Sequence, residues 1–227
     1  MKFNKPIIWK LWFFATVWIT LSIAFAAFLN NTVAAVLALI LSLLKLYKPN
    51  VITQNLSEIF IYGGLAAIFV PIINLFAAFM LLILMSVYDY ISVFKTKHMI
   101  KLATFQSKSN VFAGLLIPYE RGKASAMAAP KRDTEKVQKA APKAKHSVAV
   151  LGGGDIGFTL IFAGVVMKGL MLEEAVLAGF LKTMIIPVFV SIALLMLLIK
   201  GQENKFYPAM PVLSLGCLIG YLVVWLV

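Results

Sequence analysis

The sequence predicts an all-α, polytopic transmembrane helical bundle of about seven spans. Of its 227 residues, 62% are apolar and only 13% are charged, whereas soluble domains average about half apolar and about a quarter charged. A single soluble core of this size cannot bury so much apolar surface. The apolar runs also lack the alternation of period two that lipid-facing barrel strands show, and helices satisfy their own backbone hydrogen bonds in lipid.

Four spans are expected before residue 95. A membrane crossing needs about 20 apolar residues, and the first candidate runs from Leu11 to Leu29 without a charge. The second, from Asn31 to Tyr47, is shorter. The next uncharged run is too long for one span and contains Pro71, which interrupts a helix. We therefore expect a third span near 55–70 and a fourth near 72–94.

The composition changes sharply at residue 95. Residues 95–147 carry 12 Lys+Arg and three acidic residues, and the Ala-, Lys- and Pro-rich second half predicts a flexible linker. Apolar sequence then resumes and predicts three further spans, at Ser147 to Met167, Thr183 to Ile199 and Phe206 to Val227. The chain thus divides into 1–94 with four spans, the basic linker 95–147, and 148–227 with three spans.

The charge of +12 predicts an orientation for these spans. With seven spans, 19 of the 21 basic residues fall on the side that holds the N-terminus and the linker. The opposite side receives only Lys168 and Lys182. Basic loops stay in the cytoplasm, so we expect a multi-pass membrane protein with a cytoplasmic N-terminus and linker and with Val227 on the opposite side. Topology and contact with anionic lipid explain the charge more simply than nucleic-acid binding.

Several kinds of site are excluded by the scarcity of Cys and His. Cys217 is the one cysteine, so a disulfide framework or a cysteine-rich zinc site is excluded. The two histidines, His98 and His146, both lie in the linker, which disfavours a serine protease with a buried base. No His-Glu-x-x-His motif is present. We expect no metal and no cofactor.

Three acidic residues lie in or near the predicted spans. Glu58, at the start of the third span, is interpreted as a helix N-terminal charge. Asp89 and Asp155 each cost about 2.5–3.5 kcal/mol at mid-helix and therefore need a reason. Asp89 lies about 9 Å and Asp155 about 13 Å from the basic linker at the helical rise. Both carboxyls are thus expected at similar depth, where they can meet.

Two facing carboxyls can act as a general acid and base. Both do not ionise easily at short range, so they share one proton. One then deprotonates a water molecule while the other protonates an amide carbonyl oxygen, as in aspartic proteases. A proton or cation pathway, or a structural pair held by hydrogen bonds between helices, would also use such residues. The carboxyls alone leave these three interpretations open.

Glycines and prolines surround this region of the predicted bundle. The run from Gly152 to Gly157 mimics a dinucleotide-binding fingerprint, but no βαβ unit fits there. Gly153-x-x-x-Gly157 and Gly216-x-x-x-Gly220 are typical of helix-packing faces, and the first could also admit an extended substrate backbone.

Two prolines, Pro208 and Pro211, stand near the start of the last span. They indicate either a proline-started helix or an irregular, strand-like edge beside the carboxyls.

Together these segments resemble the presenilin and signal peptide peptidase family of intramembrane aspartyl proteases. The family motifs Tyr-Asp, Gly-x-Gly-Asp and Pro-Ala-Leu are matched in order by Tyr88-Asp89, Gly152-Gly153-Gly154-Asp155 and Pro208-Ala209-Met210. The likeness runs from about Asn31 to the C-terminus. Family members have nine spans, so the resemblance implies a presenilin-like fold that lacks the first two helices. Met210 replaces a leucine of similar size and polarity.

The resemblance implies an endopeptidase that cleaves transmembrane segments of membrane proteins or signal peptides. Asp89 and Asp155 would form the catalytic dyad, which activates a water molecule without metal or cofactor. Residues that would shape the site and bind substrate are Tyr88, Gly152, Gly153, Gly154, Pro208, Ala209 and Met210. The expected partners are a transmembrane substrate and the lipid bilayer, without nucleic acid. The sequence leaves the oligomeric state open.

Two alternatives make different predictions. A proton- or cation-coupled transporter or channel would place carboxyls along a path through the membrane, whereas Asp89 and Asp155 are expected at one depth, with no further acid inside the predicted spans toward the outer side. A non-catalytic membrane scaffold would keep its function when either aspartate is replaced by asparagine.

Overall fold

The computed structural model describes residues 6–47, 50–96, 114–119, 147–200 and 208–226. Its helices are α1 (Pro6–Ala26), α2 (Asn31–Tyr47), α3 (Val51–Phe69), α4 (Leu75–Ile91), α5 (Gly153–Glu173), α6 (Val176–Thr183), α7 (Ile185–Lys200) and α8 (Ala209–Leu226). A π-helical turn, Ser92–Thr96, continues α4. The strands are β1 (Gly114–Tyr119) and β2 (Ser147–Gly152).

The helices confirm an all-α, multi-pass membrane protein. Within the described ranges, six helical segments are long and apolar enough to cross a membrane, with α6 and α7 together forming one of them. The shorter apolar helix Asn31–Tyr47 adds a seventh candidate. After Pro6, the helices α1 and α2 contain no glycine or proline. Pro71 lies in the turn between α3 and α4, as expected for a residue that interrupts a helix.

Two of the predicted spans differ from the structure. The fifth was expected to be helical from Ser147, but residues 147–152 form β2, which pairs with β1 in an antiparallel register of Gly114 with Gly152. A short apolar run does not distinguish a strand from a helix, and the partner strand decided the outcome. The sixth was expected to begin at Thr183, but its helical segment begins at Val176. Most of the predicted linker, 97–113 and 120–146, lies outside the described residues.

The described residues form two compact units. The first holds α1, α2, α3 as far as Ala67, both strands and Gly153. Its core consists of Val17, Leu21, Phe25, Ala34, Ala38 and Ile61. Polar contacts join its helices as well, because the Trp18 indole donates to the Ala35 carbonyl over 3.0 Å.

The second unit comprises described residues 68–96, 154–200 and 208–226, and it contains both Asp89 and Asp155. Three aromatic rings from α4, α5 and α8 meet in its core. The ring centroid of Phe79 lies 5.0 Å from that of Phe162 and 5.1 Å from that of Tyr221. Tilted aromatic contacts of this kind stabilise packing beyond the buried area, so the three helices form one packed group.

Candidate active site

Asp89 lies in the last turn of α4 and is buried, with 4% of its surface exposed. Its Oδ2 accepts a hydrogen bond of 3.0 Å from the backbone N–H of Met210. Met210 is the second residue of α8. The first N–H groups of a helix have no partner within the helix, so the Asp89 carboxyl satisfies one of these free donors from a neighbouring helix.

The start of α8 shows which interpretation of the two prolines holds. Pro208 precedes the first helical residue, Ala209, and Pro211 lies in the first turn. Proline is tolerated there because its missing N–H would have no helical partner. The segment is therefore a proline-started helix and not a strand-like edge. Ala209 and Met210 are both 2% exposed.

A second polar contact joins α4 to α8 one turn away. The Ser86 hydroxyl donates to the Ser214 hydroxyl over 2.7 Å and lies 3.5 Å from the Met210 carbonyl oxygen. Ser86 precedes Asp89 by three residues and therefore shares its face of α4. Sequence reasoning missed this pair, for which the only signal was the helical spacing of Ser86 from Asp89.

Asp155 lies in the first turn of α5 and is also buried, with 5% exposed. Its carboxyl is close enough to that of Asp89 for their charges to interact. Its own helix turn is reinforced by Thr159, whose hydroxyl donates to the Asp155 backbone carbonyl over 3.1 Å. The structure therefore places the two predicted carboxyls in one compact unit, within range of each other's charge.

The direction of the helices explains why these groups meet. Asp89 is near the C-terminal end of α4, while Asp155 and Met210 are in the first turns of α5 and α8. The contact of Phe79 with Phe162 and Tyr221 lies about 10–17 Å further along the same helices at the helical rise. Packing at one level thus fixes the polar groups at the other.

The other predicted site residues lie in different surroundings. Tyr88 precedes Asp89 in α4 and therefore lies on a different face of the helix, with 51% of its surface exposed. Gly152 ends β2 and Gly153 begins α5, both in the first unit. Gly154 is exposed, and a Cβ there would meet only the Phe158 ring, at 3.6 Å, among the described atoms.

The two predicted glycine packing faces have different outcomes. A Cβ on Gly220 would lie 2.9 Å from the Ile186 Cα, and one on Gly216 would lie 3.1 Å from the Ala193 Cβ. The close packing predicted for Gly216-x-x-x-Gly220 is therefore present, between α8 and α7. Gly157 is buried, but no described atom lies within 4 Å of its Cβ position, so the packing face Gly153-x-x-x-Gly157 stays a prediction.

Glu58 corrects another expectation. It is 1% exposed in α3 and forms an ion pair with Lys45 of α2. It is therefore a buried, paired group and not the helix N-terminal charge that the sequence indicated. The pairing of residues 13 positions apart on two helices leaves no local sequence signal.

The second unit thus holds two buried carboxyls within range of each other's charge. One of them, Asp89, also accepts a backbone N–H bond. Such a pair can hold one proton and exchange it with a bound water molecule or amide. The arrangement is suited to general acid–base chemistry.

Comparison with known families identifies the family of the chain. The family described as signal-peptide peptidase, presenilin aspartyl protease matches residues 7–227. No curated protein matches the chain. Because the match covers nearly the whole sequence, the resemblance is confirmed, and the chain belongs to the signal-peptide peptidase and presenilin family of aspartyl proteases.

Proposed function

We propose that this protein is an intramembrane endopeptidase in which Asp89 and Asp155 form the catalytic dyad. The observation that carries the proposal is the burial of both carboxyls within electrostatic range of each other, on helices that are long and apolar enough to span a membrane. Membership of an aspartyl protease family supports the same chemistry. The dyad hydrolyses a peptide bond with water and without a covalent enzyme intermediate.

Asp89 is the base and Asp155 the acid in this mechanism. The N–H of Met210 donates to Asp89, and the N-terminal end of α8 carries partial positive charge. Both favour the negative charge on Asp89, and the shared proton is then held by Asp155.

The reaction proceeds in two proton-transfer stages. Asp89 takes a proton from a water molecule while the oxygen of that water attacks the peptide carbonyl carbon. Asp155 gives its own proton to the carbonyl oxygen. The resulting gem-diol collapses when Asp89 gives its proton to the amide nitrogen, a gem-diol hydroxyl gives its proton to Asp155, and the C–N bond breaks. The products are a carboxyl and an amine terminus, and one proton remains on the dyad.

The substrate class follows from the depth of the dyad. Asp89 lies within the candidate span Leu75–Phe94, and Asp155 within Gly153–Glu173. A peptide bond that reaches them must itself lie in a membrane-embedded segment, such as a transmembrane helix or a signal peptide. The excess of basic residues at the N-terminus and in the linker supports an orientation in which the dyad end of these helices faces the cytoplasm.

The test is cleavage of a single-span peptide by the purified full-length protein in liposomes. We expect Asp89→Asn and Asp155→Asn each to lower the rate by at least about 100-fold, the usual contribution of a general acid or base. Glu173→Gln is the matched control, because Glu173 is an exposed acid in the last turn of α5. We expect this variant to cleave at the wild-type rate.

The same variants separate the alternatives. If either asparagine variant kept full activity, the dyad would be wrong. If the protein were a transporter, liposomes that contain it but no substrate would show a proton or cation flux, and the asparagine substitutions would abolish that flux. If it were a scaffold, the wild-type protein would not cleave the peptide. The peptide fragments should carry a new amine and a new carboxyl terminus, which mass spectrometry identifies directly.

A further inference from the structure

A buried polar cluster occupies the first unit, far along the chain from Asp89 and Asp155. Lys45 and Glu58 form an ion pair in which each side chain is 2% exposed. The Gln54 amide donates to the same Glu58 oxygen over 3.0 Å. The Lys45 ammonium also lies 5.7 Å from the centroid of the Phe13 ring. Three helices, α1, α2 and α3, thus contribute to one cluster.

The cluster requires an explanation other than stability. An ion pair removed from water seldom contributes net stability, since apolar side chains of similar size perform as well or better. Charges within membrane-spanning segments are costly and usually serve a function. Nothing in the proposed dyad chemistry uses Lys45 or Glu58.

Gln54 connects the cluster to the sheet. Its Nε2 donates to the carbonyl of Gly114 over 3.3 Å as well as to Glu58. Gly114 is the first residue of β1 and pairs with Gly152, the last residue of β2. The Glu58 carboxylate of the ion pair therefore binds the Gln54 amide, and the same amide binds the Gly114 carbonyl at the end of the sheet.

The end of the sheet leads directly to the catalytic helix. Gly152 ends β2, Gly153 begins α5, and Asp155 follows two residues later. Only two residues, Gly153 and Gly154, thus lie between the Gly114–Gly152 pair and Asp155. The backbone therefore connects this end of the sheet directly to the first turn of α5.

We propose that Lys45, Glu58 and Gln54 form a positioning cluster that fixes the Gly114–Gly152 end of the sheet and thereby the entry of the chain into the helix that carries Asp155. The ion pair orients the Gln54 amide, and the amide fixes the strand. None of the three residues touches the reacting atoms. The consequence for turnover rests on the proposed proteolytic function, whereas the consequence for the sheet does not.

The first experiment measures the sheet itself. Hydrogen exchange of the full-length protein in detergent reports on the amides of 114–119 and 147–152 without any substrate. We expect Gln54→Met, which keeps the ion pair but removes the donor to Gly114, to raise exchange at both strands. Ser57→Ala is the matched control, since Ser57 is buried in the same helix and donates only to the carbonyl of Gln54 in its own turn. Exchange that stays at the wild-type level in Gln54→Met would overturn the proposal.

The second experiment measures kcat and KM separately in liposomes. We expect Gln54→Met to lower kcat by about 10- to 100-fold, the scale of a small misplacement of catalytic groups, with little change in KM and melting temperature. The double variant Lys45→Met/Glu58→Met should be at least as stable as wild type and equally slow, since the Gln54 amide has lost its orienting partner. A merely structural cluster predicts instead that the stable double variant regains full kcat, and that result would refute positioning.

The two proposals fail in different ways. If Asp89→Asn cleaves normally, the dyad is wrong, but the exchange result for Gln54→Met still decides whether the cluster holds the sheet. If the dyad variants are inactive and Gln54→Met has wild-type exchange and kcat, only the positioning cluster is wrong.

Discussion

The backbone N–H of Met210 donates to the buried carboxyl of Asp89 over 3.0 Å, so the first turn of the last helix is bound to the acid near the end of α4. The contact uses the main chain, and the methionine side chain is not its donor. Two prolines flank this donor and lack N–H groups of their own. The motif thus supplies a defined donor to one carboxyl of the proposed dyad.

The first prediction concerns the side chain at position 210. We expect Met210→Leu, which restores the family's Pro-Ala-Leu motif, to keep the wild-type rate, because the backbone donor is unchanged. Leucine and methionine have similar volume, so stability should change by less than about 1.5 kcal/mol. Cleavage rates and thermal melting of both proteins check this. A loss of about tenfold or more would show that the Met210 sulfur or shape takes part in turnover.

The second prediction concerns the hydroxyl pair that holds α4 on α8. We expect Ser86→Ala and Ser214→Ala each to slow cleavage by a few-fold, because interhelical hydrogen bonds in membranes contribute about 0.6 kcal/mol on average. The double variant should be no slower than the slower single variant, since one bond is lost in all three. Ser191→Ala is the control, as Ser191 is exposed and donates to Pro187 within its own helix. Fully additive losses would exclude the direct bond.

The two aspartates of the proposed dyad could be singled out from the sequence, but the contacts around them could not. Asp89 and Asp155 stand out because acidic residues are costly in apolar segments, and the positions of the linker and the spans place them at one depth. The donor from Met210 is a backbone group that every residue except proline carries. Lys45 and Glu58 pair across two helices, and neither residue shows its partner in its local sequence. Contacts between distant segments depend on packing and not on the composition of either segment.

The two strands could not be predicted from the sequence either, because their pairing also joins distant segments. Residues 148–151 are apolar and lead through glycines into an apolar helix, so the sequence predicts one long span. The pairing with β1, about 30 residues upstream and beyond a highly basic segment, decides between strand and helix. Alternation within six residues is too short a signal to establish that partner.

The third prediction concerns the turn between α3 and α4. The Lys168 ammonium donates to the carbonyls of Val70 and Pro71, over 3.3 and 3.0 Å, and carbonyls after the end of a helix need such donors. We expect Lys168→Met to lower the free energy of unfolding by about 1–2 kcal/mol, the scale of charged hydrogen bonds near a surface. Lys182→Met is the control, because it removes a partly exposed ion pair with Glu174 whose contribution is about 0–1 kcal/mol. Unfolding by denaturing detergent compares the two, and equal losses would contradict the prediction.

The fourth prediction separates the two roles of glycine in these helices. At Gly220 an added Cβ would lie 2.9 Å from the Cα of Ile186, which is fully buried and part of the backbone of α7. Backbone cannot rotate away as a side chain can, so Gly220→Ala forces α7 and α8 apart and should destabilise the protein by about 1–3 kcal/mol. Gly169 is also helical, but no described atom lies within 4 Å of its Cβ position. Gly169→Ala should therefore be neutral or stabilising by about 0.5–1 kcal/mol, because alanine restricts the unfolded chain more than glycine does. Opposite signs in paired thermal melts would establish close helix packing at Gly220, whereas a stabilising Gly220→Ala would show that α7 and α8 are not held at this distance.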